Sequence, residues 1–483
     1  MSEQLLLVGG EWTHAEDQRT FEKVSPVDGG SVASVAAASV ADAQRAASSA
    51  ADALEEWTGV GPGGRRQLLT KAADLLASRA GELVALMAEE MGATSAWGGF
   101  NVHVAQGMLR EAAAHAYSAV GEVIPSDVPG LLALAVREPV GVVLGIAPWN
   151  APLILGVRSI ALPLAFGNTV VLKASEQAPR TQAEIVRALH DAGLPPGAAN
   201  LVTNAPADAE AVVDALIAHP AVRRINFTGS TRVGRVIAEK SGRHLKRALL
   251  ELGGKAPLVV LADADLDEAA AAANFGSFMN AGQICMSTER IIVDRSVAAA
   301  FADRLVERAN GLVTGDPRDP STHLGPLIDQ RSRDRVAALV DDAVAKGAGL
   351  LCGGESDGLL FPATVLLGVT PEMRVYGEES FGPLASIVVV DGVEEAVRTA
   401  NDTEYGLSGA VFSADVAAAI DVAKRIRSGI CHINSSTVHD EPQMPFGGVK
   451  ASGYGRFGSR AAVDEFTDLR WLTIQSGHRH YPI

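Results

Sequence analysis

VGVVLGIAPWNAPLILG, residues 140–156, is the longest apolar stretch of the 483-residue chain, and how it is read decides the fold. A helix that crosses a bilayer needs ~20 predominantly apolar residues in a row. Pro148, Asn150 and Pro152 interrupt this one, so it reads as a buried strand, a turn and the start of a helix. The segments beyond it repeat the theme: a helix over 152–166, the strand TVVLK, a helix over 179–192, ANLVT, a helix over 207–218, VRRINF, a helix over 231–241, then RALLEL. Short apolar runs alternating with amphipathic stretches predict parallel strands covered by helices on both faces, a doubly wound α/β unit. Ligands of such units gather at the carboxyl ends of the strands. Asn150, Lys173, Gly229 and Glu251 stand at those ends.

After residue 252 the pattern restarts with PLVVL, an Ala-rich stretch over 263–282 and ERIIVD, then a helix over 297–310 and later SIVVV, AVRTA and GAVFS. This predicts a second α/β domain, with no low-complexity linker and no fixed-period repeat between the two. LLALAVREPV (131–140) and TDLRWLTIQ (467–475) read as strands with no place in either sheet, which points to pairing between subunits.

Composition narrows the function. Apolar residues make up 47% and charged residues 20%, so a large globular protein of more than one domain is expected, not a disordered chain. The net charge of 41 − 57 = −16 repels polyanions, which argues against nucleic acid as a partner. Cys285, Cys352 and Cys431 form no CxxC pair and have no histidines at ligand spacing, so no metal site and a reducing, cytoplasmic location are expected. MSEQLLLVGGEW lacks the basic start and long apolar core of a signal peptide.

Four motifs carry chemistry. In INFTGSTRVGRVI (225–237) a strand meets Gly229 and Ser230 at a helix start, where backbone N–H groups can bind phosphate; plain helix capping is the alternative. VVLKASE (170–176) places Lys173 and Glu176 where they could reach ribose hydroxyls, or else solvate a strand end. ELGGK (251–255) puts Glu251 at a strand end; shielded from water, its pKa would rise towards neutrality, as suits a general base. APWN (147–150) offers the Asn150 amide as an oxyanion donor. NAGQICMSTER (280–290) then presents Cys285 on a polar loop, poor core material, which favours a nucleophile over a buried packing thiol. Cys352 and Cys431 read as ordinary strand-end thiols.

The set APWN, KxSE, FTGS, ELGGK, NAGQICxSxER, EESFGP and MPFGGVKxSG, in this order, resembles the NAD(P)-dependent aldehyde dehydrogenase superfamily. NSSTVHDEPQMPFGGVKASGYGRFG (434–458) with QICMSTER resembles its bacterial aromatic aldehyde branch, which acts on benzaldehyde, salicylaldehyde or vanillin. The resemblance implies two doubly wound α/β domains, one for the cofactor (1–118 and 139–252) and one catalytic (253–451), plus a small β oligomerisation element (119–138 and 452–483) that builds a homodimer or homotetramer. It implies Cys285 as nucleophile, Glu251 as general base and Asn150 as oxyanion donor. Cofactor contacts would fall to Trp149, Lys173, Ser175, Glu176, Gly229, Ser230, Glu379 and Phe381. The product would be a carboxylic acid, released by water from a Cys285 thioester; acyl transfer to coenzyme A, an aliphatic or semialdehyde substrate, or a non-catalytic homologue are the alternatives.

Two departures stand out. KPSE of the family is KASE here, and Phe457 follows Arg456 where many members have glutamate. The retained Glu176 favours NAD, with NADP as an alternative that several relatives accept. On the helix after Asn150, where an aromatic residue often lines the aldehyde tunnel, stands Arg158. It is expected to donate a charge-assisted hydrogen bond to an ortho or para hydroxyl, unless it is a surface or salt-bridged arginine. Trp97 is expected as an apolar wall of the tunnel, or else as core.

Overall fold

The structure is a computed structural model and describes residues 2–483. The apolar stretch 140–156 forms the strand Val142–Ile146, wholly buried, and the helix Pro152–Ala165. Every residue of that helix is buried, as a helix apolar on all sides must be. It packs against the helix Ser95–His115 on one side and the strands Val142–Ile146 and Thr169–Lys173 on the other. Pro152 suits its first turn. Pro163 lies inside it and has no N–H for the Ser159 carbonyl one turn earlier. The Asn226 amide donates to that carbonyl instead, at 2.9 Å.

The larger sheet has eight strands in the order Gly453–Tyr454, Arg247–Glu251, Val222–Thr228, Val142–Ile146, Thr169–Lys173, Ala199–Val202, Leu6–Val8, Glu11–Thr13. The five from Arg247–Glu251 to Ala199–Val202 are mutually parallel. From Val142–Ile146 the chain winds outward through Thr169–Lys173 and Ala199–Val202, then returns to Val222–Thr228 on the other side. The reversal opens a crevice at the carboxyl ends of these strands, and Asn150 and Gly229 flank it.

The second sheet has seven strands, Gly349–Cys352, Thr364–Leu367, Leu384–Val390, Thr288–Asp294, Ala256–Val260, Ala410–Phe412 and His432–Ile433, parallel except for the first pair. AVRTA lies within the helix Gly392–Asn401. The Ala-rich helix spans Leu266–Phe278 and stops short of 282, where Asn280 and Ala281 turn left-handed.

The strands that fit neither large sheet pair with each other within one chain. Leu131–Pro139 runs antiparallel to Thr467–Gln475 over nine residues and to Glu122–Ile124 on its other edge. The segment after 452 is divided: Gly453–Tyr454 closes an edge of the larger sheet, while Thr467–Gln475 belongs to the small one. A further small sheet of Ser2–Gln4, Ser31–Ala36 and Thr20–Val24 has no counterpart in the alternation read from residue 140 onward.

Candidate active site

Cys285 is delivered by a loop with little freedom. Asn280 and Ala281 both have φ 52° and Gly282 has φ 69°, conformations costing non-glycine residues about 1–3 kcal/mol each that persist only where surroundings enforce them. A Cβ on Gly282 would lie 2.0 Å from the Gly382 carbonyl oxygen, so only glycine lets this loop touch the EESFGP segment. Ser287 donates to the Gly282 carbonyl at 3.0 Å, and Gln283 accepts from the Ile328 N–H at 3.0 Å.

Glu251 ends its strand 1% exposed. Neither carboxyl oxygen meets a protein donor at hydrogen-bond geometry. Burial lifts its pKa to about 7; Arg158 and the nearness of the Cys285 thiol hold it from going higher. Cys285 responds in kind: burial first, then the charge of Glu251, push the thiol well above its usual range, and Arg158 pulls the other way. The two glycines of ELGGK serve this meeting. A Cβ on Gly254 would lie 2.3 Å from the Cys285 carbonyl oxygen, and one on Gly253 would lie 2.6 Å from the Glu379 carboxyl. Asn150, buried, donates from its amide to the Gln283 carbonyl at 2.9 Å, which ties it to the Cys285 loop. Three separate elements thus bring Cys285, Glu251 and Asn150 together.

The candidate cofactor residues fall at the neighbouring strand ends. Lys173 Nζ meets Glu176 Oε1 at 2.5 Å, and the Asn204 amide donates to the same oxygen at 2.8 Å. Burial, the largest single effect, would raise the pKa of Glu176, but Lys173 together with a backbone N–H and the Asn204 amide outweighs it and brings the pKa below its usual range. Ser175 is buried and its hydroxyl accepts from the Gln177 N–H, shaping the turn. Ser230 caps the helix Thr231–Arg243 through its side chain, so its hydroxyl is already engaged there. Trp149 and Phe381 meet edge to face, ring centroids 5.9 Å apart. Glu379 accepts from the Gly254 N–H at 2.9 Å, and its pKa rises to about 7, through burial first and the charge of Glu289 second.

Glu289 is absent from the sequence reading, yet it organises this loop. It accepts from the Ser380 and Phe381 N–H groups and from the Ser380 hydroxyl, and pairs with Lys255 at 2.6 Å, side chains 3% and 0% exposed. The signal available was a charged Glu289–Arg290 pair at the head of an otherwise apolar strand.

Arg158 does not present a free guanidinium. It is buried, its Nη2 donates to Asp440 Oδ2 at 2.5 Å, and its guanidinium stacks on the Phe446 ring at 4.1 Å. The salt-bridged alternative therefore describes it. Trp97 is 2% exposed, donates through Nε1 to the Asn150 carbonyl at 2.8 Å, and stacks on Phe100. With Phe100, Phe275, Met279, Val438 and Asp440 it lines a cavity next to Asn150.

Comparison with known proteins agrees with this architecture. The family model described as the aldehyde dehydrogenase family matches residues 12–472. A vanillin dehydrogenase of Pseudomonas sp. (strain HR199 / DSM 7063) is 59% identical over 99% of both chains, and a salicylaldehyde dehydrogenase of Pseudomonas sp. (strain C18) is 48% identical over the same share. Among solved structures, a salicylaldehyde dehydrogenase from Pseudomonas putida G7 complexed with salicylaldehyde superposes with a TM-score of 0.98 at 46% identity, covering both chains completely. On motif order, fold and full-length similarity, the chain belongs to the aldehyde dehydrogenase family.

Proposed function

We propose that this chain oxidises aromatic aldehydes to carboxylic acids with NAD, with Cys285 as nucleophile, Glu251 as general base and Asn150 as oxyanion donor. The observation that carries this reading is the convergence of a thiol, a buried carboxyl with a pKa of about 7 and a side-chain amide beside a cavity walled by Trp97, Phe100 and Phe275. Flat apolar walls suit an aromatic ring, and the relatives above act on vanillin and salicylaldehyde by name.

The residues at the crevice fit a dinucleotide. Gly229 leaves the backbone bare at the start of the helix Thr231–Arg243, where N–H groups favour a pyrophosphate; a Cβ there would lie 2.5 Å from the Phe227 ring. With the Ser230 hydroxyl spent on capping, its backbone remains for the phosphate. Glu176, ionised and anchored by Lys173, accepts ribose hydroxyls and repels a 2′-phosphate, which favours NAD. Ser175 stands beside Glu176 at that end, and Trp149, edge to face with Phe381, would join Glu379 and Phe381 in holding the nicotinamide end. When bound, NAD supplies the hydride acceptor.

Cys285 Sγ bonds to the aldehyde carbon as its proton passes to Glu251, whose raised pKa suits both taking and returning it. Asn150 gives one amide hydrogen to Gln283, which leaves the other, with the Cys285 backbone N–H, for the developing alkoxide. After hydride loss the acyl group stays on Cys285 as a thioester. Glu251, after releasing the thiol proton to solvent, takes a proton from the water that attacks the thioester and passes it to the Cys285 sulfur as the carboxylic acid leaves.

The assembly we propose is a homodimer or homotetramer built through the small sheet, in the reducing cytoplasm that suits three unpaired cysteines. Among the described residues no helix is long and apolar enough to cross a membrane.

Following NADH formation with benzaldehyde, salicylaldehyde, vanillin and short aliphatic aldehydes tests the reading. Turnover of the aromatic aldehydes by the wild type, lost in Cys285→Ala, is expected. Turnover of the aliphatic aldehydes alone would move the substrate assignment elsewhere in the family.

A further inference from the structure

Asp440 carries an unexplained polar atom. Its side chain is 5% exposed, Oδ2 is taken by Arg158, and Oδ1 is buried with no protein donor in reach. A buried acceptor left without a donor is destabilising, and the residue that bears it lines the cavity of Trp97, Phe100, Phe275 and Met279. Arg158 is not among the residues lining that cavity, and its guanidinium is held against Asp440 and the rings of Phe446 and Phe457, 4.1 and 5.7 Å from their centroids.

We propose that Asp440 is the specificity-determining residue of the aldehyde cavity, its Oδ1 accepting a hydrogen bond from a hydroxyl on the ring of a hydroxybenzaldehyde substrate, with Arg158 holding the side chain in place through Oδ2. This rests on the aromatic aldehyde reading above and names its subclass. Apart from Glu268, Asn434, Ser435, Ser436 and His439 the rest of the cavity wall is apolar, and apolar contact discriminates weakly between a hydroxyl and a group of similar size, whereas a buried hydrogen-bonding group discriminates strongly. Arg158 gains a defined role: its bond to Oδ2 fixes the carboxyl so that Oδ1 is the oxygen left to accept.

Asp440→Asn tests it. Arg158 will claim the amide oxygen, which leaves an NH₂ donor where Oδ1 stood. The quantity to read is kcat/KM for hydroxybenzaldehydes, with the hydroxyl ortho, meta or para, divided by that for the methyl-substituted aldehyde of the same pattern. The variant is expected to lower this ratio roughly ten- to a hundredfold at one or more ring positions, whatever its effect on the two rates separately. An unchanged ratio at all three positions would overturn the proposal and leave Asp440 as a support for Arg158. If the wild type oxidises no benzaldehyde at all, the aromatic reading itself fails, an outcome seen before the variant is made. Should Asp440→Asn not fold, inhibition of the wild type by hydroxyacetophenones, ketones that have no hydride to give, replaces it. Binding roughly tenfold tighter than that of the methylacetophenone at one ring position supports the proposal; equal inhibition at all positions overturns it.

Discussion

In the proposed cycle Glu251 sets the pH behaviour of the site. It must be ionised to accept a proton, and burial raises its pKa to about 7, so kcat is expected to climb with pH through about 7; a flat profile across that range would contradict its role. The same shift has a stability sign. A carboxyl whose folded pKa lies above its unfolded value favours the fold fully below the unfolded pKa, near 4.5, and loses that contribution as pH rises through about 7. For a wholly buried group the loss reaches roughly 3 kcal/mol above that pH. Glu251→Gln, which cannot ionise, should therefore raise Tm relative to the wild type at about pH 8 and change it little at about pH 5. Such residues are partly legible in sequence. Glu251, Asn150 and Cys285 stand in short motifs whose chemistry can be named from the letters. Asp440 and Glu289 do not, because their meaning lies in partners far along the chain: Arg158 for one, Ser380 and Phe381 for the other.

At the scale of elements, the alternation from residue 140 onward was readable because punctuation and period agree. The helix Pro179–Ala192 matches its expected bounds, with Pro179 at its start and Gly193 left-handed at its end. The expected helix 207–218 opens instead with a 3-10 turn over Pro206–Asp208 before Ala209–Ala218, a tightening that hydrophobic period does not encode. The small N-terminal sheet depends on pairing between segments that carry no strong alternation. The loop over Glu379–Phe381 shows how elements cooperate, since Glu289 on one strand ties down the backbone that presents both residues. Glu289→Gln leaves Lys255 buried without its counter-charge, for which a cost of about 3–5 kcal/mol is typical. A clear fall in Tm and a KM for NAD raised roughly tenfold, kcat less affected, are expected from thermal melts and steady-state kinetics. An unchanged KM would mean that the loop is held by other contacts.

For the whole molecule, the sheet of Glu122–Ile124, Leu131–Pro139 and Thr467–Gln475 is the feature that one chain does not explain. Leu469 and Trp471, 61% and 74% exposed, share one of its faces; Val123, Leu132 and Ile474, 71%, 44% and 56% exposed, share the other. Apolar side chains on both faces of an exposed sheet mark an interaction surface. If this sheet builds the proposed oligomer, Trp471→Glu should lower the sedimenting mass towards that of a single 50.1 kDa chain; a mass unchanged from the wild type would contradict that role for the sheet. The sequence identified both strands and the absence of a place for them in either large sheet, but not that they pair within one chain, because nothing local distinguishes a partner in the same chain from one in another.

In the proposed cycle Cys285 carries the acyl group and Glu251 sends water to it. Rapid mixing of Glu251→Gln with NAD and an aromatic aldehyde tests it most directly. NADH rising towards one equivalent per active site, more slowly than in the wild type because the same carboxyl takes the thiol proton, then a steady rate lower still, with the acyl group found by mass spectrometry on the peptide holding Cys285, is the predicted result. Wild-type turnover in this variant, or acyl label on Cys352 or Cys431 instead, would contradict it.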